Sequence, residues 1–154
     1  MHIESRLADL AIDLPQAAAP MANYVPYTIS GNLLFISGQT PTRDGQIVGG
    51  TVGVDTSIEE AVDAARISGL LVLAQVHAAC GGDWTRVRRC LKLGGFVASG
   101  ADFTDHPMVI NGASNLMVDV FGDAGRHARF AVGAPALPGG AVVEVEAVFE
   151  LEAE

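Results

Sequence analysis

The C-terminal stretch 142–152 keeps a two-residue period. Val143, Val145, Ala147, Phe149 and Leu151 fall on one side; Glu144, Glu146, Glu150 and Glu152, with Val142 and Val148, fall on the other. Such a strand offers one face to a core and needs another layer to cover that face. The chain supplies the layer. From Ser57 to Ala79, residues Ile58, Ala61, Val62, Ala65, Leu70, Leu73, Ala74 and Val76 make a wide apolar helical stripe. Thr56 with Glu59 reads as a capping box at its start, and Gly81-Gly82 as its stop. A second helix is expected from Pro107 to Phe121, since proline suits a first helical position and Gly122 an end. Two long helices beside an apolar sheet face define an α+β fold, with both helices on the same side of one sheet.

Shorter elements fill in the order helix, β, β, α, β, α, β, β. Ile3, Leu7, Leu10, Ala11 and Leu14 recur at helical spacing, which predicts a short N-terminal helix ending at Pro15. Pro15 to Pro20 reads as a connector. Tyr24 to Thr28 and Leu33 to Ser37 should pair across a Ser30-Gly31-Asn32 turn. Thr85 to Ser99 reads as a strand, with Gly94-Gly95 marking a bulge or a close backbone approach. Arg129 to Ala134 and Ala141 to Leu151 are the last two strands. We expect a single domain over 1–154, with 1–19 as helix and connector and 20–151 as its core.

Charge narrows the function classes. The 154 residues carry a net charge of −9, and 18% are charged, below the roughly 25% of an average globular protein. That balance argues against a nucleic-acid surface and for some surface buried in an oligomer. The basic run Arg86, Arg88, Arg89 and Lys92 reads as solvated edge charge. Cys80 and Cys90 form no zinc or CxxC spacing and are expected to be buried free thiols. No two histidines and a carboxylate show metal spacing, so no metal and no cofactor are expected. Met1 to Arg6 has no apolar signal core, and the apolar run Ile67–Cys80 is short and interrupted by Gln75 and His77. No membrane segment is expected, and a cytoplasmic location is.

The chemistry-bearing stretch is Arg129 to Pro138 followed by Val142 to Glu146. It reads as a hairpin that brings Arg129 near Glu144. Arginine grips a small carboxylate through two parallel hydrogen bonds, so a pocket for a small organic acid is expected. On these residues alone, Arg129 reads first as an exposed strand arginine paired with Glu144 or Glu146, and second as a ligand-binding group. His127, two positions away, would share the arginine's face and is a candidate base.

At Tyr24-Val25, Ser37-Gly38-Gln39, Asn111 and Arg129…Leu137-Pro138…Glu144-Val145-Glu146, the chain resembles the YjgF/Rid family, the RidA-like reactive intermediate deaminases. The resemblance covers about Pro20 to Leu151. The longer N-terminal helix and the Asn23-Tyr24-Val25-Pro26 form point to a subgroup apart from the archetypes. It implies a chorismate-mutase-like mixed sheet and a homotrimer with sites between subunits. It also implies cofactor-free hydrolysis of small enamines or imines, such as 2-aminoacrylate, to 2-keto acids and ammonia. Arg129 would bind the substrate carboxylate, and Glu144 and Tyr24 would place water. Glu144, beside a desolvated arginine, would stay ionised. Ser37, Gly38 and Asn111 would line the site with Phe130 and Ala131. Those last two depart from the Ser and small residue that usually follow the arginine. Alternation points Phe130 away from Arg129. A trimer that binds a 2-keto acid without turnover is the alternative; the net charge speaks against the endoribonuclease label often attached to the family.

Overall fold

The structure, a computed structural model, describes residues 2–19 and 23–153. The chain runs α1 (Ile3–Asp9), β1 (Tyr27–Ser30), β2 (Leu33–Gln39), β3 (Thr42–Arg43), β4 (Gln46–Ile47), α2 (Ile58–Ala79), β5 (Val87–Ala98), α3 (His106–Phe121), β6 (Ala128–Ala134) and β7 (Val143–Leu151). Five strands form one sheet in the order β1-β2-β7-β5-β6. Only β5 and β6 are parallel neighbours; the other pairs are antiparallel, so the sheet is mixed. The β3–β4 pair is a small separate hairpin, turning at Asp44 and Gly45 with φ of 52° and 77°.

The alternation of β7 maps onto the sheet as expected. Val143, Val145, Ala147, Phe149 and Leu151 are all buried. Above them lie α2 and α3, whose contact depends on small residues. A side chain on Gly112 would strike the backbone of Val62, and one on Gly69 would crowd Leu116 and Ala113. Both are close approaches that a larger residue would wedge apart. At 22 residues α2 is long and apolar enough to cross a bilayer, longer than the run read from sequence. However, 61% of its apolar window is buried inside the fold, as a core helix requires.

Several boundaries move for local reasons. The capping box is one residue later than expected. Ser57 is the N-cap, Glu60 N–H donates to its hydroxyl at 3.2 Å, and Ser57 N–H donates to the Glu60 carboxylate at 2.8 Å. Thr56 is engaged instead in the preceding turn, where its N–H reaches the carbonyl of Thr51. Helix α1 stops well before Pro15. Ala11 turns left-handed at φ 52°, its N–H reaches the carbonyl of Ala8, and the Ile12 N–H reaches that of Leu7. Those two bonds satisfy the last carbonyls and close the helix. Pro20, the expected end of the connector, lies outside the described residues. Strand β5 begins at Val87 because Asp83 accepts from the Thr85 N–H and holds Trp84–Arg86 in a 3₁₀ turn.

Gly94 and Gly95 sit in regular register. They make room for side chains: Phe130 and Glu146 over Gly94, and Ile110 over Gly95. Of the basic run, Arg86 ends the 3₁₀ turn, and Arg88, Arg89 and Lys92 lie on β5, which is not an edge strand. There Arg88 pairs with Glu150 at 3.3 Å, and Lys92 lies 5.3 Å from the Phe130 ring centre.

Candidate functional site

The expected Arg129–Glu144 hairpin does not form. Strand β6 pairs with β5, and β5 separates it from β7. Arg129 is opposite Leu93, which is opposite Ala147; both partners are buried on the helix side. Glu144 is opposite Phe96, which is opposite Val132. Those two are 38% and 43% exposed on the bare side. Side chains across a registered pair share a face, so Arg129 and Glu144 project from opposite faces of the sheet. Strand spacing places their Cα atoms about 14 Å apart. Within one chain they are parts of two separate clusters.

The first cluster gathers around Arg129 at the edge of the sheet. Its Nη1 donates to Asn111 Oδ1 at 2.8 Å and to Ser114 Oγ at 3.1 Å. Asn111 and Ser114 are three apart on α3 and so share one helical face. Among the described residues, the Nε and Nη2 donors of Arg129 have no partner. The guanidinium is therefore held at one end and free at the other, which suits the grip on a carboxylate. Ala131 follows on the same face and packs against the core. Phe130 points to the bare face, as alternation requires, and meets Phe96 edge-on at 5.3 Å. Its side chain takes no part in the arginine cluster.

His127 joins this cluster through both ring nitrogens. Its Nδ1 lies 2.6 Å from the Gly125 carbonyl oxygen, and its Nε2 lies 2.9 Å from Ser114 Oγ. Burial first, then the charge of Arg129, holds the imidazole below its ordinary value of 6.5, against the opposing pull of the Gly125 bond. Ser114 is the residue that sequence reading missed. Its signal was the three-residue spacing from Asn111, visible only once Asn111 is known to face the arginine.

The second cluster gathers around Gly38. An added Cβ there would collide with the Glu144 carboxylate, so the carboxylate packs directly on the bare backbone. Burial, then the neighbouring Glu146 charge, pushes the Glu144 carboxyl above its ordinary 4.5. This revises the expectation of a carboxylate held ionised by Arg129, because the arginine lies on the other face. Tyr24, 57% exposed, joins Gly38, Gln39 and Pro26 in the wall of a cavity of ≈ 350 Å³. The Ser37 hydroxyl donates to the Val25 carbonyl at 2.7 Å, fixing the segment that carries Tyr24. Buried Gln75 donates to the Ala18 carbonyl at 3.0 Å and ties the N-terminal connector over the same cavity.

Both thiols stay apart from these clusters. Cys80 and Cys90 are free and buried, and burial pushes the Cys90 thiol up to about 12.

A mixed sheet with two helices on one face, an anchored arginine on the edge strand and a carboxylate on the bare face defines a small α+β fold with two separate polar clusters. The family model described as YjgF/chorismate mutase-like, putative endoribonuclease matches residues 4–151, and the chain belongs to that family. It is similar to Protein TCP17 of Trypanosoma cruzi, with 48% identity over 152 residues, covering 97% of this chain and 94% of that protein. A crystal structure from Agrobacterium tumefaciens, of unknown function, shares 51% identity at a TM-score of 0.90, covering 97% of this chain and 92% of that one. One from Shewanella oneidensis shares 35% identity at a TM-score of 0.91, covering 97% and 99%.

Proposed function

We propose that the protein hydrolyses small carboxylate-bearing enamines or imines, of the 2-aminoacrylate kind, to 2-keto acids and ammonia in the cytoplasm. The observation that carries this reading is the Arg129 guanidinium, held through Nη1 by Asn111 and Ser114 with its other donors free. It receives the substrate carboxylate. The opposite placement of Arg129 and Glu144 supports assembly, with Arg129 of one subunit and the Tyr24–Gly38–Glu144 cluster of a neighbour forming each site of a homotrimer. The bare sheet face, with Phe35, Phe96 and Val132 exposed, supports burial between subunits.

The chemistry asks little of the side chains. An iminium carbon is already electrophilic, so positioning supplies much of the rate gain. Glu144 accepts a proton from a water that Tyr24 orients, and its raised proton affinity suits that task. An enamine first takes a proton from solvent on its terminal carbon to become the iminium. The water oxygen then bonds to the iminium carbon, Glu144 hands the proton it took from the water to the nitrogen, and the C–N bond breaks. The products are the keto acid and ammonia, with the second water proton released as ammonium. No metal or cofactor has a step in this scheme.

A second reading rests on the same separation. A chain that does not join the two clusters would hold a 2-keto acid at Arg129 with no base beside it. A ribonuclease reading has less support, because the net charge of −9 opposes an RNA backbone.

The test generates 2-aminoacrylate with a serine dehydratase and follows pyruvate release. Wild type should accelerate release. Arg129→Ala should lower kcat/KM about 100-fold, the scale of losing a charged hydrogen-bond pair. Equal kcat/KM in the variant would sink the mechanism. Pyruvate binding without acceleration would move the assignment to the binding reading.

A further inference from the structure

We propose that His127 and Ser114 are positioning residues that fix the pose of the Arg129 guanidinium through a directed hydrogen-bond relay, a role that rests on the carboxylate-gripping reading of Arg129. The direction follows from the donors and acceptors. The Gly125 carbonyl can only accept, so His127 Nδ1 carries the proton in the 2.6 Å contact. The neutral ring then has its lone pair on Nε2. That lone pair accepts the Ser114 hydroxyl proton across 2.9 Å. With its proton so committed, Ser114 Oγ turns a lone pair to Arg129 Nη1 at 3.1 Å. Asn111 Oδ1 takes the same nitrogen at 2.8 Å. Each partner has one role, and the chain ends at a backbone carbonyl that cannot change its own.

The relay also decides what His127 does not do. Its proton faces Gly125 and its lone pair faces Ser114, so neither ring nitrogen is turned toward a ligand on the arginine. The histidine near the arginine orients it and is no general base. Fixing one end of a guanidinium leaves its far donors aligned for a planar acid and lowers the ordering cost of binding.

Two readouts on the full chain test this. Ring nitrogen shifts of ¹⁵N-labelled protein at pH 8 should show His127 protonated at Nδ1; protonation at Nε2 would overturn the relay. Pyruvate titrations followed by NMR should show Ser114→Ala and His127→Gln binding about tenfold more weakly, a loss of about 1.4 kcal/mol. Ser114→Thr, which keeps the hydroxyl, should bind like wild type. Folded Ser114→Ala with wild-type affinity would overturn the proposal, as would loss of binding in Ser114→Thr with native spectra. Arg129→Ala serves as the separate control: binding that survives in it would defeat the carboxylate reading itself, whatever the tautomer.

Discussion

His127 couples the site to pH at the scale of one residue. Burial keeps the folded-state imidazole neutral below the 6.5 at which the unfolded chain titrates. As pH falls past that value, the unfolded chain takes up a proton that the folded one resists, so stability falls. The loss levels off once pH drops below the folded-state value. Wild type should thus show a lower urea midpoint at pH 5.5 than at pH 7.5, and His127→Gln should remove that part of the difference. An unchanged slope in the variant would show that the imidazole carries no such penalty. Phe130 and Ser114 mark how far single residues were legible. Phe130 turned out of the arginine cluster because alternation is a covalent property of a strand. Ser114 was invisible because a mid-helix serine resembles any other until its neighbour across the sheet is known.

Between elements, the α2–α3 contact sets the platform under Arg129. Gly112 allows the two helices to meet closely, and Asn111 and Ser114 flank that contact on α3. One flaw lies in α2. The Ser68 hydroxyl is buried with no hydrogen-bond partner among the described residues. An unmet buried hydroxyl costs about 1 to 3 kcal/mol, so Ser68→Ala should stabilise the fold by about 1 kcal/mol. Thermal unfolding would check it, and a lower Tm would mean that the hydroxyl is satisfied on assembly or by water. Helices and strands were legible because their periods are local. Their ends were less so: the capping box moved by one residue because Thr56 and Ser57 are both competent caps, and only the turn before them assigns one. Helix α1 ended early because Ala11 adopts a left-handed conformation that its residue type does not announce.

At the scale of the whole molecule, the Arg129 and Glu144 clusters lie on opposite faces, and the proposed assembly then makes a sharp prediction. Arg129→Ala and Glu144→Gln should each lose most of the activity alone, the first by about 100-fold. Co-refolded, they should recover part of the activity, because some interfaces then pair an intact arginine with an intact glutamate. No recovery from a mixed assembly would place both groups in one chain's site. Phe96→Glu puts a charge on the bare sheet face while leaving the core untouched. If the proposed trimer forms through that face, the substitution should reduce the mass seen by light scattering from about three times the 15.9 kDa chain to that of one chain. An unchanged mass would remove that face from the interface. The sequence alone determined the layers, since a two-residue period and two apolar helical stripes require a sheet with one covered face. It also singled out Arg129, Glu144, Tyr24, Gly38 and Asn111 as residues of interest. Only the tertiary structure decided which of them meet. The β6–β7 connection passes over β5, and β7 inserts between β2 and β5, so β6 and β7, consecutive in the chain, are not neighbours in the sheet. Alternation specifies a strand's faces but carries no information about its partner.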